Sequence, residues 1–167
     1  MEKLVRKNVF ETNSSSCHSI TIDNSNGVYN NVPKVDNEGN VFINSGEFGW
    51  EIEDYQDFGS KASYLSVYIR DWSNENKDKF KEIFESVLKE VTGCEKVEYE
   101  EDFWKQEERS YESDGKIKTY FSSLGDGYID HQSVEDRDLD YMFENTQTMK
   151  DFLFSSNSIL QTDHDNH

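Results

Sequence analysis

No stretch of this 167-residue chain approaches the ~18 consecutive apolar residues that a membrane span requires. Its N-terminus also lacks the apolar run of a secretory signal. There are two cysteines, Cys17 and Cys94, too few for a disulfide framework. These absences predict a cytoplasmic protein with reduced thiols and no membrane contact. Proline is nearly missing, Pro33 being the single case, and no Gly/Ser/Pro linker divides the chain. A chain of this length fits one domain, able to bury roughly 70% of its unfolded surface.

Basic residues are scarce as well. Thirty-five acids against 17 bases leave a net charge of −18. The excess is concentrated: residues 47–57 carry five acids and no base, 95–114 nine acids and three bases, and 126–144 seven acids and one base. Such a field repels nucleic acid and anionic membrane and attracts basic surfaces at long range, which excludes direct nucleic-acid binding. Hydrophobic residues reach only 34%, but aromatics supply 14% of the chain. Each aromatic buries ~150–250 Å², so the expected core is small and aromatic-rich.

Elements follow from periodicity. Residues 17–22 alternate as a half-buried strand, with His18 on the face of Ile20 and Ile22. Residues 23–40, rich in Asn, Gly and Asp, read as a loop long enough to be mobile, before a strand at 41–43. Ser60 is placed as N-cap of a helix to about Trp72. A second helix, about Glu75 to Thr92, repeats Phe80, Ile83, Phe84, Val87, Leu88 and Val91 on one face and stops at Gly93. Strands are expected at 96–99, 117–121, 128–129 and 158–161, and a short helix capped by Thr146 or Thr148 carries Met149, Phe152 and Leu153. Strands this close in sequence have no room for helical crossovers. The expected fold is therefore one α+β domain over 1–167, a mixed or antiparallel sheet with two to four helices mainly on one face.

Four constellations could carry chemistry. The segment 8–20 sets hydroxyls, the Cys17 thiol and the His18 imidazole together, the inventory of a nucleophile beside a base, with Asn13 and Ser15 placed to position a substrate in a hydrolase reading. Strand neighbours face opposite sides, however, and a polar loop entering a strand explains the segment as well. Asp130-His131 and the run Asp163-His164-Asp165 hold the ligand types of a Zn²⁺, Mn²⁺ or Mg²⁺ site, with His131, Asp163 and Asp165 as the ligands; a solvated turn and polar tail are the plainer reading. Residues 46–51 present Phe48 and Trp50 as apolar anchors rimmed by Glu47, Glu51 and Glu53, or as core after a tight turn. Finally, Glu98 and Glu100, followed by Glu101 and Asp102, lie on an acidic strand where alternate carboxylates ~6.6 Å apart can imitate a phosphate backbone. Trp104 adds an apolar group beside them.

The blocks NVFETNSSSCHSI (8–20), GEFGWE (46–51), KASYL (61–65), GYIDHQS (127–133) and DFLFSSNSILQTDHDNH (151–167) together resemble a family of small proteins from tailed phages and prophages of Gram-positive bacteria. That family usually has threonine in place of Cys17 and asparagine in place of His164. The resemblance implies phage origin and brings no assigned catalytic residues. With the charge, it suggests an acidic binding protein that inhibits a host nucleic-acid-handling or defence machine by nucleic-acid mimicry, as an anti-CRISPR protein does. Its partner would be a basic surface of a host protein or nucleoprotein complex, bound through Glu47, Phe48, Trp50, Glu51, Glu98, Glu100, Glu101, Asp102 and Trp104, with no cofactor. The alternative is a metal- or histidine-assisted hydrolase of a nucleotide or phosphate compound, using His18, Asp130, His131, Asp163 and Asp165. The oligomeric state is left open.

Overall fold

The computed structural model describes residues 3–7, 16–24, 26–130, 133, 134 and 137–164; for 3–7 it describes the backbone alone. The elements run β1 (Lys3–Lys7), β2 (Ser16–Asp23), β3 (Asn40–Ile43), β4 (Glu47–Phe48), β5 (Glu53–Tyr55), α1 (Phe58–Trp72), α2 (Lys77–Thr92), β6 (Lys96–Tyr99), β7 (Gln106–Ser113), β8 (Lys116–Ser123), β9 (Tyr128–Ile129), α3 (Tyr141–Glu144), α4 (Thr146–Phe154) and β10 (Ile159–His164). The α+β class expected from the sequence is what forms.

The strands do not make one sheet. An antiparallel sheet runs β1-β2-β10-β5, while β3 pairs with β6 and β4 with β9 in parallel, and β7 and β8 form a separate antiparallel ribbon. The parallel pairs are possible because α1 and α2 lie between their strands in sequence and supply the crossover that parallel pairing demands.

Helix α1 runs through the middle of the core, with Phe58 and every residue from Lys61 to Arg70 buried. Buried polar groups tend to find partners, and the two buried cations of α1 do. Lys61 Nζ donates to the carbonyls of Ser155 (2.8 Å) and Ser158 (3.0 Å), and burial, only partly offset by Asp57, pulls its ammonium down to about 8. Arg70 donates to the carbonyls of Asp126 and Gly127, each at 2.7 Å, and pairs with Asp71. That clamp fixes the turn leading into β9. The cap of α1 is Asp57 rather than Ser60: the Asp57 carboxylate accepts the Ser60 N–H at 2.8 Å, so Ser60 already lies in the first turn.

Helix α2 follows a 3₁₀ turn at Asn74–Asn76 and buries Phe80, Phe84, Val87 and Leu88, the face expected from its spacing. It ends at Gly93, whose φ of 76° suits a residue without Cβ. Phe80 stacks on Phe143 of α3 with centroids 4.2 Å apart. Helix α4 is capped by Asn145 rather than by a threonine, since the Asn145 side chain accepts the Gln147 N–H at 3.1 Å. Strand β10 extends the expected 158–161 strand to His164 and places Leu160 and Thr162, with Ile20 and His18 of β2, on the buried face. Among the described residues no helix is long and apolar enough to cross a membrane.

Candidate functional site

Four segments far apart in sequence meet at one corner of the main sheet: the start of β2, the loop after β4, the segment after β9, and the end of β10. The parallel pairing of Glu47 with Tyr128 and of Phe48 with Ile129 delivers Asp130 beside the 49–51 loop. There Trp50 Nε1 donates to Asp130 Oδ2 at 2.7 Å, and the Trp50 indole stacks on His164, centroids 6.0 Å apart and planes inclined 26°. Ser16, paired with His164 across the sheet, is in hydrogen-bond contact through Oγ with Ser133 Oγ, and the Ser133 N–H donates to the Asp130 carbonyl at 2.9 Å.

His18 lies under this corner, 2% exposed, and both ring nitrogens are engaged. Nε2 donates to the Gly49 carbonyl at 2.8 Å, and Nδ1 accepts from the Tyr64 hydroxyl at 3.0 Å. Burial lowers the imidazole's pKa, against the opposing pull of the Gly49 carbonyl and of Glu51 and Asp130. A neutral, doubly bonded imidazole holds the 49–51 loop onto α1. The cavity beside it measures about 10 Å³, room for one water. A Cβ at Gly49 would lie 2.6 Å from the hydroxyl of the exposed Tyr128, so a larger residue there would push that side chain aside.

The outer surface of the corner is aromatic and acidic. Trp50 is 39% exposed, and Tyr128 and Ile52 are exposed beside it. Glu47 and Glu53 stand at the rim, exposed, while Glu51 turns back to accept the Gly49 N–H at 2.9 Å and the Tyr55 hydroxyl at 3.2 Å. The local field is visible in the phenols. Tyr128 is pushed up by burial and then by Asp130, Glu51 and Glu47, and Tyr55 is pushed to about 12 by burial and by Glu51. Among the described residues no lysine or arginine forms an ion pair with Glu47, Glu51 or Glu53.

The other expected residues are placed differently. Phe48 is core, 3% exposed and edge-on to Tyr55 and Tyr64, and offers no anchor to a partner; its partner-binding assignment is corrected, because strand alternation turns it inward where Glu47 turns out. Asp163 pairs with Cys17 on the sheet face opposite His18 and accepts the His164 N–H at 2.7 Å. The proposed ligands His131 and Asp165, and Asn13 and Ser15, lie outside the described residues. Among the described residues no group of three or more His, Cys, Asp or Glu is arranged to hold a metal ion.

The second acidic segment is not a regular ladder. Strand β6 ends at Tyr99, so of its carboxylates only Glu98 sits on the strand; Glu100 to Trp104 form a turn in which Asp102 has φ 62°. The segment also brings its own cations. Lys96 lies 3.7 Å from Glu98, Lys105 pairs with Asp102 at 2.6 Å, and Lys81 covers the Trp104 ring at 4.8 Å. Trp104 itself packs edge-on against Tyr99 and Phe103, each at 4.9 Å.

Sequence reasoning missed the exposed Tyr128 and Ile52, the stack of Trp50 on His164, and the role of Glu51 as acceptor for its own loop. Comparison with protein-family models, with curated proteins and with solved structures finds no match to this chain.

Proposed function

We propose that the protein is an acidic binding protein whose Trp50 corner docks on a basic, nucleic-acid-binding surface of a partner, acting in the host cytoplasm as an inhibitor of a defence or gene-expression complex. An anti-CRISPR role is one such activity. The observation that carries the reading is the exposed indole of Trp50, with Tyr128 and Ile52 beside it, rimmed by Glu47, Glu51 and Glu53, with which no lysine or arginine among the described residues forms an ion pair. Arginine and lysine side chains on a partner would find there both an aromatic face and negative charge. The −18 net charge speeds encounter with such a surface and makes it salt-sensitive.

The test is displacement. Added to a guide-loaded CRISPR effector and its target DNA, the wild-type chain should reduce DNA retention in a mobility-shift assay. Trp50→Ala combined with Glu47→Gln and Glu53→Gln should restore it. DNA retention unaffected by the wild-type chain, in this and in the host's other nucleic-acid-handling complexes, removes the inhibitor reading; inhibition that survives in the triple variant moves the contact elsewhere.

A hydrolase reading draws support from one observation, the meeting of Ser16, Asp130, Ser133 and His164 at the same corner. Against it stand the locked imidazole of His18, the one-water cavity and a field that repels phosphate. Turnover of a nucleotide panel that is lost in both Asp130→Asn and His164→Ala would reverse the order of the two.

A further inference from the structure

The β7–β8 ribbon combines exposed apolar side chains with a balanced charge. Its segment from Lys105 to Leu124 holds four acids (Glu107, Glu108, Glu112, Asp114) and four bases (Lys105, Arg109, Lys116, Lys118), in a protein of net charge −18. Every residue from Glu108 to Phe121 except Ser113 is exposed. Ile117 is 78% and Phe121 69% exposed on one face, with Tyr111 and Tyr120 exposed on the other. An isolated two-stranded ribbon is marginal in water, and both its edges present unpaired backbone groups. We propose that a second copy of this chain pairs with it, β8 against β8 in antiparallel register about a two-fold axis through Thr119.

Register and charge single out this edge. Asp114 and Gly115 both have positive φ, 53° and 72°, and form the two-residue turn between paired Ser113 and Lys116. That turn makes Ser113–Lys116 a hydrogen-bonded pair, so the alternate pairs Tyr111–Lys118 and Arg109–Tyr120 are also satisfied within the ribbon. Ile117, Thr119 and Phe121 on β8 therefore aim their N–H and C=O groups outward. With the axis at Thr119 these outward groups face one another, Ile117 lies across from the partner's Phe121, and Lys118 lies across from the partner's Tyr120. Apolar groups meet apolar groups, an ammonium meets an aromatic ring, and no like charges are opposed. Edge β7 cannot do this over its length. Centred on Glu108, Arg109 or Ser110, two copies oppose Glu108 to itself, Arg109 to itself, or Glu108 to Glu112, each costly.

The geometry also separates the acidic bodies. Eight residues of strand span ~27 Å at ~3.4 Å each, and antiparallel pairing puts the two bodies at opposite ends of the shared sheet. Charges that far apart are screened beyond a Debye length of ~8–10 Å. A head-to-tail alternative, β7 on the partner's β8, leaves an open edge at each end and grows into chains of repelling bodies.

Sedimentation equilibrium of the full chain near physiological salt, from micromolar to high-micromolar concentration, should show a monomer–dimer equilibrium built on the 19.6 kDa chain. Thr119→Pro removes an outward N–H without touching the β7–β8 bonds and should weaken dimerisation at least about tenfold. Ser110→Pro, the matching change on the β7 edge, should leave it unchanged. As a second readout, Thr119→Cys under a mild oxidant should form a disulfide-linked dimer where wild type and Ser110→Cys do not, because antiparallel hydrogen-bonded partners lie ~5.5 Å apart at Cα. A strict monomer, a series growing beyond dimer, or a dimer indifferent to Thr119→Pro that also fails to cross-link through Cys at 119 overturns the proposal.

Discussion

The Trp50 corner and the Glu98–Trp104 segment look alike as strings, each a tryptophan among closely spaced acids, yet the fold gives them different surfaces. At the corner the indole stays partly exposed, held at its edge by Asp130 and backed by His164. In the other segment Trp104 packs into an aromatic cluster with Tyr99 and Phe103, and Lys81, Lys96 and Lys105 lie against the ring and the carboxylates. The number of carboxylates therefore says little about what a partner meets. Counter-charge already in place and the direction of the neighbouring aromatic ring decide it.

The largest expected effect tests the scaffold both regions share. Phe84, fully buried on α2, should cost ~3–5 kcal/mol when changed to alanine, measured by chemical denaturation; a loss under ~1 kcal/mol would show that the face is not core. Next comes the contrast of the tryptophans. Trp50→Ala should weaken partner binding by ~2 kcal/mol or more, whereas Trp104→Ala should lower thermal stability and leave affinity within ~0.5 kcal/mol. Equal affinity losses would erase the distinction.

Charge gives a smaller effect. Neutralising Glu47 and Glu53 should slow association severalfold and flatten its salt dependence, while neutralising Glu100 and Glu101, an equal change in net charge, should do much less. Identical slowing in stopped-flow would mean that only the total field matters.

The smallest concerns the His18 strut, which the second region lacks. Its folded pKa lies below the ordinary 6.5, so as pH falls below that value the unfolded chain takes up the proton first and stability declines. His18 can contribute a slope of at most ~1.4 kcal/mol per pH unit. That slope should shrink in His18→Gln when unfolding free energies are compared between pH 7 and about pH 5.5.

Much of the fold was legible. The α2 face was readable because apolar residues at helical spacing leave no competing period, and Gly93 marked the stop. The caps at Asp57 and Asn145 were missed by one to three residues because several cap-forming residues stand in a row and local preference does not choose among them. The ribbon's first strand, Gln106–Ser113, carries no apolar alternation and so gave no signal; it forms because a two-residue turn pairs it with β8.

Composition and periodicity by themselves determined the class of the fold, the acidic field and the core face of α2, since each depends on residues near one another in the chain or on their sum. Which tryptophan faces outward, which carboxylates have a lysine beside them, and that Ser16, Trp50, Asp130 and His164 share one corner were decided only by the tertiary structure. The physical reason is that those contacts join segments far apart in the chain, Ser16 to Ser133 and Ser16 to His164 among them, through strand pairing and the Arg70 clamp. Their geometry is written in packing against α1, not in any local pattern.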